Sequence, residues 1–159
     1  MRVYLPATAA DLSADAPPTL RAFTVIAPPG IRGEDLEVLE DDAQDEAAVE
    51  SLRRLRDETP GAAPRRVILA ADIHPGVVPE PTEEGSTTGV IALDSPVPWS
   101  DVRALLVDED AAASAVGAVL AADDQEAADE ALAALWDRPL QWFDATEREL
   151  LAERWNARA

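Results

Sequence analysis

The chain has one histidine, His74, and it stands close to carboxylates that follow apolar runs. Asp72 closes the run Val67-Ile68-Leu69-Ala70-Ala71, and Asp94 closes Gly89-Val90-Ile91-Ala92-Leu93. Sites gather at strand ends in α/β sheets, and an imidazole paired with a carboxylate is a common general acid–base unit. Asp72, His74 and Asp94 are therefore the candidate catalytic set of a small hydrolase or acid–base enzyme. Spacing alone does not bring them within hydrogen-bond reach, and a lone histidine running into Pro75-Gly76 is more often an incidental loop residue.

A second constellation is the acidic stretch Asp41, Asp42, Asp45 and Glu46. On a helix Asp42 shares a face with Asp45 and Glu46, three and four residues on. Hard divalent cations take converging oxygens, which makes these four the candidate metal ligands. The stretch lacks the glycine turn and ligand spacing of a calcium loop, so diffuse surface charge is the plainer reading. Asp108-Glu109-Asp110, at a strand end and a helix start, poses the same choice and reads as an N-cap.

The loop Gly85-Ser86-Thr87-Thr88-Gly89 offers hydroxyls and backbone N–H groups to a phosphate. It has no basic residue, however, and leads into a strand, whereas a P-loop leads into a helix and supplies Lys. It reads as a mobile hairpin connection. Of the four tryptophans, Trp136, Trp142 and Trp155 fall in the last quarter beside Leu135, Phe143 and Leu151, and Trp99 follows Pro98. That placement favours sealing a helix–sheet edge over an exposed contact patch.

Composition narrows the chemistry further. Thirty-two Asp and Glu stand against 13 Arg, with no Lys and no Cys, for a formal charge of −19. Nucleic-acid binders neutralise phosphates with clustered basic residues, and the densest clusters here, Arg53-Arg54-Arg56 and Arg65-Arg66, are short and flanked by acid. Anionic membrane surfaces are disfavoured for the same reason. The lack of Cys removes disulfides, thiol catalysis and Cys metal sites, and the lack of Lys removes Schiff-base chemistry. No cofactor is implied. A protein partner or a homodimer is the expected association, and a cytoplasmic location is the default, since no leader pattern or bilayer-length apolar run is present.

The elements that would position these residues follow from periodicity and punctuation. Arg2 to Leu5 reads as a strand ended by Pro6, with Thr8 capping a short helix, and Arg21 to Ile26 as a second strand closed by Pro28-Pro29-Gly30. From Glu34 to Glu50 nine acids occur without a base, backed by an apolar stripe of Leu36, Leu39, Ala43, Ala47 or Ala48, Leu52 and Leu55. That is an amphipathic helix, although acid crowding at 40–42 offers an alternative start. Pro60-Gly61 and Pro64 form a break. Strands follow at 66–73, 89–94 and 102–107. An Ala-rich helix begins near Asp110, a second is capped by Asp123 with Glu126, and a final one by Thr146 with Glu149. Arg138 to Phe143 reads as an edge strand.

The segments Met1-Arg2-Val3-Tyr4-Leu5-Pro6-Ala7-Thr8, Arg21-Ala22-Phe23-Thr24-Val25, Pro64 to Asp72 and Trp99-Ser100-Asp101-Val102 together resemble a small family of uncharacterised actinobacterial proteins. The resemblance runs through most of the chain. It implies an intracellular domain from a high-GC organism, where Arg and Ala are favoured over Lys, and transfers no activity and no site. The expected fold is one α/β domain (α+β-like) over residues 1–159, with a mixed sheet of five or six strands and helices mainly on one face. The expected role is a non-catalytic interaction or regulatory domain.

Overall fold

The computed structural model of the protein describes residues 1–58, 64–74 and 76–156. The breaks read at Pro60-Gly61 and Pro75 lie outside the described residues.

Strict alternation builds the centre of the sheet. In β1 (Arg2–Ala7), Val3, Leu5 and Ala7 join the core on one face and Tyr4 the core on the other. β3 (Val67–Asp72) repeats the pattern, with Val67, Leu69 and Ala71 set against Ile68 and Ala70. β2 (Arg21–Val25), β5 (Thr88–Ala92) and β6 (Val102–Val107) flank these two, while β4 (Glu80–Pro81) and β7 (Gln141–Asp144) form the edges. The order is β4-β5-β2-β1-β3-β6-β7, and every neighbouring pair is antiparallel.

The sheet has seven strands rather than five or six, and it is antiparallel rather than mixed. The added strand is β4, two residues long and too short to carry a periodicity. The crossover after β2 does bring β3 into the same direction as β2, because both run antiparallel to β1. But β1 lies between them, so the two like-directed strands never pair. β1 itself continues through Pro6, which lies opposite Ile68. Toward β2 its register is the single pair Tyr4–Phe23, so the missing N–H of Pro6 interrupts no long ladder.

Helix α1 (Glu34–Arg56) starts at Glu34, not at the acid cluster of 40–42. Glu34, Asp35 and Glu37 occupy its first turn and Arg53, Arg54 and Arg56 its last, each sign suited to the helix dipole. Its buried stripe of Ala43, Ala47, Ala48, Ser51 and Leu52 is mostly small. The axis therefore settles close on Tyr4, Phe23, Ile68, Ala70 and Ala104 of the sheet. Behind it stand α2 (Ala113–Ala121) and α3 (Gln125–Trp136), joined to α1 by Leu52, Val116, Val119 and Leu135. The opposite face is covered by α4 (Arg148–Asn156), which packs Leu151, Ala152 and Trp155 against the Val3, Leu5 and Leu69 side. Helix on both faces accounts for the near-continuous apolar runs of β3 and β6.

Ser51 ties α1 into the sheet. Its hydroxyl donates to the Ala7 carbonyl at 2.7 Å and accepts the Val67 N–H at 3.1 Å. Ala7 and Val67 are the last register pair of β1 and β3, so the helix supplies the rung where the two strands part.

The caps fall elsewhere than their sequence spacing indicates. The N-cap of α3 is Asp124, not Asp123, with its carboxylate accepting the Ala127 N–H at 2.7 Å. The capping box before α4 is Asp144 with Glu147, not Thr146 with Glu149, and it opens a 3₁₀ turn that leads into the helix. Acceptance from Thr146 holds the Asp144 carboxyl below its ordinary pKa. Thr8 caps nothing: its N–H donates to Asp11, at 2.9 Å, and its hydroxyl to Glu58.

Candidate functional site

The most elaborate polar arrangement lies where β3 begins and β6 ends. Val67 and Val107 are register partners, so Arg66 and Asp108, one step beyond each, come face to face. The Asp108 carboxylate accepts Arg66 Nη2 at 2.7 Å, Nε at 2.9 Å and the Arg66 backbone N–H at 2.8 Å. The two side chains are 1% and 0% exposed. Arg66 Nη2 also donates to the Arg138 carbonyl at 3.2 Å. Arg65 donates to the Asp108 carbonyl and to Asp110, and its guanidinium lies 4.3 Å from the Trp155 ring centroid.

This unit clamps more than it reacts. Both Asp108 oxygens are engaged by a forked, charge-assisted contact, so neither is open to a ligand or a substrate proton. The turn after Asp108 carries no side-chain cap bond, which corrects the N-cap reading of Asp108-Glu109-Asp110. A sequence signal exists in hindsight: paired Arg before one apolar strand and Asp directly after another.

The candidate catalytic set is divided between two ends of the sheet. Asp72 lies opposite Arg2, so Asp72 and His74 follow the Arg2 end of β1. β2 turns about the Tyr4–Phe23 pair, which sends Arg21 toward the Ala7 end, and Ala92 lies opposite Arg21. Asp94 therefore leaves the sheet from the other end, roughly 17–20 Å away for strands of this length. Asp72 is gripped by Arg2 at 2.7 Å and by Arg103 at 3.3 Å. The Arg2 hydrogen bond leads in holding its carboxyl below the usual range, which weakens it as a general base. His74 and Asp94 are exposed.

Asp41, Asp42, Asp45 and Glu46 are exposed along α1, and no group of three or more metal-ligating side chains occurs among the described residues. The Asp45 carboxyl is pushed above its ordinary pKa by desolvation on the helix flank, then by Asp41 and Asp42, with Arg66 opposing. A raised carboxyl pKa means that the fold gains stability as pH falls through that value and bears the ionised form at neutral pH. Asp45→Asn should accordingly raise the melting temperature at pH 7 in calorimetry. The gain should shrink near 1 M salt, where the screening length is about 3 Å. An unchanged or lower melting temperature would count against repulsion on this face.

The tryptophans split two and two. Trp155 is buried, edge-on to Phe143 at 6.4 Å, and half-buried Trp99 donates from Nε1 to the Ala14 carbonyl at 2.9 Å. Trp142 is exposed and seals no edge, whereas Trp136 is partly exposed with its ring centroid 5.4 Å from the Arg66 guanidinium carbon.

An apolar hollow of about 460 Å³ lies over β5, beside the edge strand β4. Leu20, Val77, Val78, Val90 and Ala92 line it, with Arg21 and Glu80 as its polar groups. The wall carrying Val77 and Val78 can approach because β5 has Gly89, where a Cβ would fall 2.8 Å from the Pro79 Cβ. Leu20, Val77 and Val78 are all exposed, Val78 by 85%. Val77 and Val78 sit outside any periodic run, between Gly76 and Pro79, and carry no pattern in the sequence.

The model of a family of unknown function (DUF6912) matches residues 1–152. The chain belongs to that family. No curated protein and no solved structure matches it. The DUF6912 match takes in the hollow and the Arg66–Asp108 clamp entirely, while Arg154 and Trp155 lie beyond it. The resemblance drawn from the opening, central and Trp99 segments is met at this family level. In the described residues no helix is long and apolar enough to cross a membrane.

Proposed function

We propose that the protein is a non-catalytic interaction domain that docks a partner in the hollow beside β4. One observation carries this reading: three exposed aliphatic side chains, Leu20, Val77 and Val78, converge on a single concavity. Scattered single hydrophobics need no explanation, whereas a gathered set marks a contact site. The dispersal of Asp72 and His74 from Asp94 adds support, because it leaves that set without a shared substrate position. An intracellular setting and an actinobacterial source belong to the same reading, supported by the absent Cys and by Arg standing where Lys is missing.

The test uses Val78→Asp, which places a charge at the rim without touching the core. Immobilised wild-type and variant chains are compared for retained proteins by quantitative mass spectrometry, and each hit is remade with purified partner in calorimetry. A partner bound by the wild type and lost by the variant is the expected result. Identical retention by both would overturn the docking role of the hollow.

A further inference from the structure

We infer that the occupant of the hollow is a basic segment of another protein, presenting aliphatic side chains flanked by Lys or Arg. This deepens the docking reading above and rests on it. The apolar lining asks for aliphatic groups, and a volume of about 460 Å³ lies within the usual range of ligand sites. Val78, 85% exposed at the rim, carries the apolar surface outward beyond the concavity, as suits a chain segment more than a small molecule.

Charge selects the segment. Arg21 and Arg53 both turn onto Glu50, at 3.6 and 3.0 Å, so that one carboxylate is shared between two guanidiniums. Glu46, one turn before Glu50 on the same flank of α1, has no ion-pair partner among the described residues; the same holds for Glu80 and Asp94. Glu80 lines the hollow, and Asp94 stands two residues beyond Ala92 of its wall. Against Arg21 and Arg53 stand Glu46, Glu50, Glu80 and Asp94, so the surroundings of the hollow are negative within a chain of net charge −19. Such a field draws in cations and speeds their encounter. It also opposes a second copy of the chain, which would bring another −19.

A random 12-residue peptide library displayed on phage tests this, selected on the full chain at about 150 mM salt and counter-selected on Val78→Asp. Circular dichroism first establishes that the variants are folded, and Leu20→Ser serves as a second hollow variant. The expected winners carry Lys or Arg around Leu, Ile, Val or Phe. In fluorescence anisotropy they should weaken at least tenfold on either hollow variant and about three- to tenfold on Glu46→Gln or Glu80→Gln, with a shallower salt dependence. Winners that depend on Val78 yet are neutral or acidic would overturn the basic partner and leave the docking reading standing. No winner dependent on Val78 or Leu20 would overturn both. A dimer in sedimentation that Val78→Asp dissolves would assign the hollow to a second copy instead.

Discussion

Replacing Asp108 by Asn should lower the free energy of unfolding by about 3–5 kcal/mol, because it leaves the Arg66 guanidinium buried without its counter-charge. Total stability of a domain this size is roughly 5–15 kcal/mol, so the loss takes a large share of it. The physical reason is the asymmetry of buried ion pairs. Arg66 and Asp108 side chains are 1% and 0% exposed, so the ionised pair gives up most of its hydration and regains it chiefly through the forked contact, with the Arg66 N–H and the Arg138 carbonyl adding to it. Removing one partner keeps the desolvation and loses the return. Removing both is milder, and the double variant Arg66→Met with Asp108→Leu should recover most of the loss. Urea denaturation of the three chains settles this. A cost below about 1 kcal/mol for Asp108→Asn would show that water reaches Arg66 and that the clamp is not sealed.

Ser51→Ala should cost roughly 2–5 kcal/mol, more than removing one hydroxyl ordinarily does. The hydroxyl stands between the Val67 N–H and the Ala7 carbonyl, and both lose their partner at a fully buried position. An orphaned buried polar group costs about 1–3 kcal/mol, and here there are two. Hydrogen exchange gives the discriminating readout: the Val67 amide should lose protection well beyond the general drop in stability. Unchanged protection at Val67 would mean that β1 and β3 close directly on each other at that rung.

Local chemistry was legible in the sequence where it sufficed. The apolar run of β3, the limits of β6 and the stripe of α1 are written in neighbouring residues, and the structure places those elements within a few positions. What escaped depends on pairing over distance. Strand direction is not encoded locally, so nothing near Asp94 tells that it leaves the sheet opposite to His74. The clamp needs the register of β3 against β6, in which residues some forty positions apart come into line. Asp124 and Asp144 won the caps over their neighbours by the φ/ψ of the entering chain, which spacing alone does not fix. β4 is too short to leave a pattern, and the hollow owes its wall to the bare Gly89.

The position of β1 has a consequence in time. The strand lies mid-sheet, yet its fullest ladder is with β3, and a nascent chain reaches Asp72 some sixty-five residues after Ala7. At about 5–20 residues per second of synthesis that is a wait of roughly 3–13 s. Throughout it Val3 and Leu5 lack Leu69 and Ala71 of β3, with Ala9, Leu12 and Ala22 of their core cluster already made. The emerging chain thus passes through an interval in which β1 lacks its main partner, and the Glu34 to Glu50 acids, arriving before β3, give the unfinished chain a like charge during that interval. An acidic helix of this kind serves the newborn chain as a repellent before it serves the finished fold as a layer.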